Sequence, residues 1–175
     1  MFSRAMLAAA LIALPACADN DADDIDADDA DAPAPAATET PTPATPALLM
    51  TIPFEAEGGS NVGGQVQVLS NDTDPNGVRM AVSFTGVPAG EHAWHIHQGA
   101  CGAKDTPVVV PFTEDKDMPA IASPIVPDAS GNAMTEVSVP SNLLTVNQLR
   151  DGDYSLHLHQ KGGIDHGPTI ACATL

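Results

Sequence analysis

Two segments of the chain each place a pair of histidines two residues apart in an otherwise apolar stretch. The first is Trp94-His95-Ile96-His97 and the second is Leu156-His157-Leu158-His159. Successive side chains of a strand point to opposite faces, so the two histidines of each pair share one face. Two such strands lying side by side bring four of the six histidines onto one surface. The pattern therefore predicts a β-sheet with an imidazole metal site on one face.

Short segments of alternating apolar and polar residues recur through residues 48–175, which we expect to be the folded part. In the clearest of them, Val78, Met80, Val82 and Phe84 alternate with polar or small residues. Clusters of Gly, Pro, Asn and Asp separate these segments, and no stretch shows a helical period over three turns. Short strands with regular turn signals predict an all-β sandwich or barrel.

Residues 1–17 have the composition of an export signal. A single positive charge at Arg4 precedes an apolar run that is too short to span a bilayer as a helix. The run ends in Leu14-Pro15-Ala16-Cys17, which resembles the bacterial lipobox and makes Cys17 the predicted lipidation site. The alternative is a conventional signal peptide cleaved near Ala16 or Ala18.

Residues 18–47 are predicted to form a disordered tether. Eight aspartates lie between Asp19 and Asp31, and Pro- and Thr-rich sequence follows them. Like charges repel each other and proline favours an extended chain, so this segment cannot form a core. With lipidation at Cys17, the tether predicts a membrane-anchored lipoprotein of the bacterial cell envelope that faces the periplasm or the exterior.

The charge of the chain excludes one class of partner and disfavours another. The formal net charge is -17, from 23 acidic and 6 basic residues. Binding to nucleic acid depends on Lys and Arg contacts with phosphates, so we expect no nucleic-acid partner. The folded part alone has 14 acidic and 5 basic residues. Its negative field disfavours long-range attraction of an anionic substrate.

The chain has three cysteines, and an exported domain normally oxidises those that can pair. Cys101 lies just after the first histidine pair and Cys172 lies three residues from the C-terminus. We expect a disulfide between these two, which would leave Cys17 for the lipid. Two free buried thiols are the alternative.

Three stretches of the folded part resemble the copper–zinc superoxide dismutase family. The segment Gly86 to His97 is similar to the family's Gly-x-His-Gly-Phe-His-x-His motif, and Tyr154 to His159 is similar to its late Leu-x-x-His strand. Ala171-Cys172-Ala173 is similar to its C-terminal Ala-Cys-Gly. The resemblance covers roughly residues 50–175 and implies an eight-stranded Greek-key β-barrel.

The resemblance also assigns roles to individual residues. His95, His97 and His159 match copper ligands. His92 matches a structural histidine that packs and forms hydrogen bonds near the site. The predicted Cys101–Cys172 disulfide corresponds to the family's disulfide.

The chain departs from the family pattern where the second metal would be. No histidine lies between His97 and His157, so the bridging histidine and the zinc ligands of the family are missing. We therefore expect copper as the cofactor and no zinc, since carboxylates alone make a poor zinc site. The family's anion-guiding Arg, three residues before the last Cys, is replaced by Thr169.

Two further histidines keep open roles at this point. His157 should face the same way as His159 and is either a fourth ligand, a partner of the ligands, or a polar side chain on a half-exposed strand. His166 lies beside Asp165 in the loop after the second histidine pair. It is an extra ligand, a proton donor near the site, or a solvated loop histidine.

Two classes of function follow from these residues. The first is a superoxide dismutase that works with copper alone; its activity does not follow from the sequence, and no residue is assigned a catalytic role. The second is a non-enzymatic envelope lipoprotein that binds, buffers or delivers copper. A copper-free structural sandwich is disfavoured by the four paired histidines. The expected partners are copper, superoxide for the enzyme, and the membrane through the lipid anchor.

Overall fold

The structure is a computed structural model that describes residues 45–116 and 118–175. The predicted signal peptide, its lipidation site Cys17, and the tether as far as residue 44 lie outside the described residues. Within the described ranges, no helix is both long and apolar enough to cross a membrane.

Nearly all of the regular secondary structure in the described chain belongs to two antiparallel β-sheets, which confirms the predicted all-β class. Closure into a Greek-key barrel stays a prediction. This part of the chain contains nine strands and one short helix: β1 (Leu48–Pro53), β2 (Glu55–Ala56), β3 (Gly63–Leu69), β4 (Val78–Thr85), β5 (Trp94–Gln98), β6 (Val108–Pro111), β7 (Ala133–Val139), α1 (Val146–Asp151), β8 (Tyr154–His159) and β9 (Thr169–Thr174).

The four-stranded sheet has the order β1-β3-β4-β7, and the five-stranded sheet has the order β2-β9-β8-β5-β6. Strand β4 shows the alternation that its sequence predicts, with Val78, Met80, Val82 and Phe84 buried. Its antiparallel pairing with β3 makes residues 70–77 a hairpin connection. The four-stranded sheet therefore presents one apolar and one more polar face.

Apolar residues of both sheets contribute to one hydrophobic core. Trp94 of β5 stacks on Phe112 with ring centroids 4.0 Å apart, and Phe54 packs on Phe84 with centroids 4.5 Å apart. Leu158 of β8 is fully buried in the same core. Burial of side chains of this size contributes about 1.5–3 kcal/mol each. The apolar faces of both histidine strands are thus fixed against the core, and their histidines point to the other face.

Helix α1 has no counterpart among the sequence-based expectations, because six residues are too few to show a helical period. A capping box defines its start: Thr145 Oγ1 accepts a hydrogen bond from the Gln148 amide at 3.1 Å, and Gln148 Oε1 accepts one from the Thr145 amide at 2.9 Å. Leu149 is the buried residue that joins the helix to the core. The Thr-x-x-Gln spacing was the available signal for this helix.

Cys101 and Cys172 form a disulfide, with their Cα atoms 5.8 Å apart. The bond ties the connection between β5 and β6 to strand β9. Two hydrogen bonds secure the same connection: the Cys101 amide donates to Thr174 Oγ1 at 3.3 Å, and the Gly99 amide donates to the Asp153 carbonyl at 2.7 Å. This connection is therefore held against the histidine-bearing side of the sheet.

Candidate metal centre

Strands β5 and β8 lie next to each other in the five-stranded sheet, as the repeated histidine pattern predicts. Their antiparallel register places His95 opposite His157 and His97 opposite Ser155. Residues directly opposite in an antiparallel pair share a face. The histidines of both pairs therefore occupy one face of the sheet.

Three of these histidines direct one nitrogen each toward a common region. His95 Nδ1, His97 Nε2 and His159 Nε2 have no hydrogen-bond partner, and a set of ligand atoms from these three residues lies within 4.8 Å of one another. The three residues are 0%, 8% and 4% exposed. A buried polar atom without a partner normally costs about 1–3 kcal/mol. Three such atoms facing each other are the arrangement expected of ligands to one metal ion.

Backbone carbonyl groups fix the tautomers of two of the three rings. His97 Nδ1 donates to the Thr106 carbonyl oxygen at 2.9 Å, and His159 Nδ1 donates to the Gly167 carbonyl oxygen at 3.2 Å. A carbonyl oxygen can only accept, so the proton of each neutral ring lies on Nδ1. Each Nε2 then carries the lone pair that a metal requires.

The third ring is held through its other nitrogen. His95 Nε2 lies 3.0 Å from Thr113 Oγ1, which leaves Nδ1 as the free atom. Thr113 is itself buried and receives the Trp94 amide hydrogen at 3.2 Å. The partners of the three histidines belong to three different connections of the chain, and each connection orients one ligand.

The environment keeps the three rings neutral. Burial, together with a smaller effect of neighbouring histidines, lowers the pKa of His95 to about 4 and the pKa of His159 to about 3. Burial also lowers the pKa of His97. The negative charge of Asp115 opposes these effects at His95 and His97, but it is the smaller influence. At neutral pH all three are in the form that binds a metal.

His157 lies outside the group of three, although it is directly opposite His95. Ser155 Oγ donates its proton to the Gly99 carbonyl at 2.6 Å, so His157 Nε2 donates to Ser155 Oγ at 2.8 Å. His157 Nδ1 then accepts from Thr169 Oγ1 at 3.1 Å. Both nitrogens of His157 are therefore engaged with protein, and its ring stacks on that of His97 with centroids 4.3 Å apart.

His92 is buried behind the site. Its Nδ1 lies 2.9 Å from the His159 carbonyl oxygen, and its Nε2 lies 2.8 Å from the Pro88 carbonyl oxygen. The ring thus links the backbone of a candidate ligand to the turn that precedes β5. The structural role of His92 that the resemblance implies stays a prediction.

His166 lies beside the three candidate ligands without joining them. Its ring centroid is 3.9 Å from that of His159 and 5.1 Å from that of His95. The residue is only partly buried, in contrast to the other five histidines. Its ring is therefore placed between the site and the solvent.

A second grouping of potential ligands contains Glu57, Cys101 and Cys172. Its two sulfur atoms are already joined in the disulfide. Among the residues that the structure describes, His95, His97 and His159 are the one group whose ligand atoms are free to bind a metal ion.

Sequence reasoning did not identify the residues that orient the ligands. Thr113 was detectable in principle, as a polar residue directly after the apolar segment from Val108 to Phe112. Thr106 and Gly167 act through backbone carbonyl groups, which carry no signal in residue type. Ser155 and its bond to Gly99 depend on strand register.

The arrangement can hold one metal ion through three neutral imidazoles in a buried setting. No family model and no curated protein matches this chain. The metal is therefore argued from the chemistry of the three nitrogen donors and from the sequence motifs that carry them.

Proposed function

We propose that this protein binds a single copper ion through His95 Nδ1, His97 Nε2 and His159 Nε2. The observation that carries the proposal is the convergence of three buried nitrogens that lack hydrogen-bond partners. Imidazole nitrogen suits copper, and copper(II) forms the most stable complexes among the divalent first-row metals. Three histidines also occur in zinc sites, so competition between the two metals is part of the test.

We further propose that the domain is of the copper–zinc superoxide dismutase type, with a Greek-key barrel and copper alone. Bound copper supplies one-electron exchange, the chemistry that dismutation of superoxide needs. The chain's own residues bury the site, hold His97 and His159 in their ligating tautomers and leave the partly exposed His166 on the solvent side. Lys161 is the exposed cation in the same loop.

A second candidate function is copper buffering or delivery without catalysis. Two observations support it. The folded part has an excess of acidic residues, and Thr169 forms a hydrogen bond with His157. Thr169 occupies the position at which the resemblance expects an anion-guiding Arg. A negatively charged domain without that Arg has little means of attracting superoxide over a distance.

We propose an exported, membrane-anchored location on the basis of the signal segment, Cys17 and the tether. The Cys101–Cys172 disulfide supports this location, because such bonds persist in oxidising compartments outside the cytoplasm. Labelling with a lipid precursor tests it: incorporation into the wild type and none into a Cys17→Ser variant are expected. Equal labelling of both would contradict it.

Metal analysis of the full-length protein tests the copper proposal. We expect one copper per chain, no second metal, and retention of copper in the presence of equimolar zinc. His95→Ala should abolish copper binding, whereas His157→Gln, a matched change on the same face, should keep one copper per chain. Two metals per chain, or displacement of copper by zinc, would contradict the proposal.

Superoxide consumption separates the two functions. Turnover by the copper-loaded protein well above that of free copper at equal concentration indicates the dismutase. Tight binding of one copper with turnover no higher than that of free copper indicates the carrier.

A further inference from the structure

We propose that His166 is the fourth nitrogen ligand of the copper(II) form and closes the site on its solvent side. This inference rests on the proposed function, because it concerns the same metal. Copper(II) favours four ligands in a tetragonal arrangement, and the three buried histidines leave one position open. His166 is the remaining histidine whose ring lies beside two of them, 3.9 Å from His159 and 5.1 Å from His95 between centroids.

One carbonyl oxygen holds the rings of His159 and His166 together. The Gly167 carbonyl oxygen lies 3.2 Å from Nδ1 of His159 and 3.2 Å from Nδ1 of His166. A carbonyl oxygen has two lone pairs and can accept both hydrogen bonds. In this position His166 has the same tautomer as His159, with its proton on Nδ1 and a lone pair on Nε2.

The backbone of His166 is fixed over the site while its side chain keeps freedom. The His166 carbonyl accepts from the Lys161 amide at 2.9 Å, and the Lys161 carbonyl accepts from the Ala93 amide at 2.8 Å, just before β5. Gly163 and Gly167, on either side of residues 164–166, have φ of +76° and +72°, values that favour glycine. The loop is thus attached to the strand that carries His95 and His97.

His166 does not belong to the group of three whose ligand atoms lie within 4.8 Å of one another. Its side chain must turn toward the metal to complete the set, and its partial exposure permits that movement. Copper(I) is satisfied by fewer ligands, so His166 should be needed by copper(II) and not by copper(I). This difference distinguishes His166 from the three buried histidines, which both oxidation states require.

Electron paramagnetic resonance of the copper(II)-loaded full-length protein tests the inference. With ¹⁵N-labelled histidine, we expect couplings from four ring nitrogens in the wild type and three in His166→Gln. His157→Gln should keep all four, since both nitrogens of His157 are bonded to protein. Asp165→Asn, a change at an exposed neighbour in the same loop, is the matched control and should alter neither the spectrum nor the affinity. In His166→Gln the copper(II) affinity should fall by roughly ten-fold or more, and the copper(I) affinity, measured by competition with bicinchoninate, should not change.

The outcomes separate this inference from the proposed function. If wild type and His166→Gln give the same copper(II) spectrum and affinity, His166 is not a ligand, and the three-histidine copper site stands. If the His157→Gln variant loses the fourth nitrogen instead, the inference is also wrong. If the wild type fails to bind copper, or binds it equally after His95→Ala, the proposed function itself fails. Circular dichroism of each variant confirms that it is folded.

Discussion

His157 stacks on His97 with ring centroids 4.3 Å apart and planes inclined by 28°, although the two residues are not opposite each other in the β5–β8 ladder. His97 has a free ring nitrogen, whereas both nitrogens of His157 are hydrogen-bonded to hydroxyl groups. Two neighbouring imidazoles on one face thus have different roles. His97 is a candidate ligand, and the ring of His157 packs against it.

This relationship predicts the effect of replacing His157. His157→Gln should preserve one copper per chain and lower the affinity by about ten-fold, because His97 loses a packing partner and no ligand. His97→Gln is the matched substitution one strand away and should cause a much larger loss. Copper titration of both variants measures the difference. Equal losses would show that His157 is itself a ligand.

The hydrogen bond between His95 Nε2 and Thr113 Oγ1 gives a second prediction. Thr113→Val removes the hydroxyl next to His95 Nε2 at nearly constant volume, so the ring loses its orientation and the copper affinity should fall by about 10–100-fold. Thr113→Ser keeps the hydroxyl and should bind copper nearly as well as the wild type. Competition with a chelator of known affinity provides the measurement. An unchanged affinity in the valine variant would exclude this positioning role.

The lowered histidine pKa values predict that acid destabilises the metal-free protein. Burial lowers the pKa of His95 and His157 to about 4 and that of His159 to about 3, from an ordinary value of 6.5. At a pH between the ordinary value of 6.5 and the lowered values of the folded protein, the unfolded chain binds more protons than the folded one. The free energy of unfolding is therefore undiminished above about pH 6.5 and decreases as the pH falls toward 4 and then 3.

Thermal melting of the metal-free protein between pH 7.5 and pH 4 measures this dependence. The melting temperature should decrease steadily below pH 6.5. His157→Gln removes one of the titrating groups and should make the decrease shallower. A melting temperature that stays constant from pH 7 to pH 5 would contradict the prediction.

The disulfide joins Cys101 and Cys172, which are 71 residues apart in the sequence. Because it closes a long loop, we expect a large contribution to the free energy of unfolding. The chain-entropy relation gives about 4 kcal/mol for a loop of this length. Urea denaturation of a Cys101→Ser/Cys172→Ser double variant should show a loss of this order, and Cys17→Ser should show none. We also expect weaker copper binding by the double variant, since the disulfide anchors the connection whose Thr106 carbonyl orients His97. A loss below about 1 kcal/mol would contradict the estimate.

Much of the sheet could be predicted from the sequence because alternation along a strand is a local property. Val78 to Phe84 alternate in the sequence and in burial alike, since each side chain's face is set by its place in the strand. The same rule places His95 and His97 on one face. Helix α1 was missed, because its six residues are stabilised by a capping box and by burial of Leu149 rather than by a repeated pattern.

The sequence by itself determined which side chains share a face: the paired histidines on one side of their strands and Trp94, Ile96, Leu156 and Leu158 on the other. Only the tertiary structure decided which imidazoles keep a free nitrogen. That choice depends on hydroxyl and carbonyl groups supplied by distant connections, at Thr106, Thr113, Gly167 and Thr169. The physical reason is that strand alternation acts between adjacent residues, whereas a ring's tautomer and orientation are set by hydrogen-bond partners that the fold brings to it.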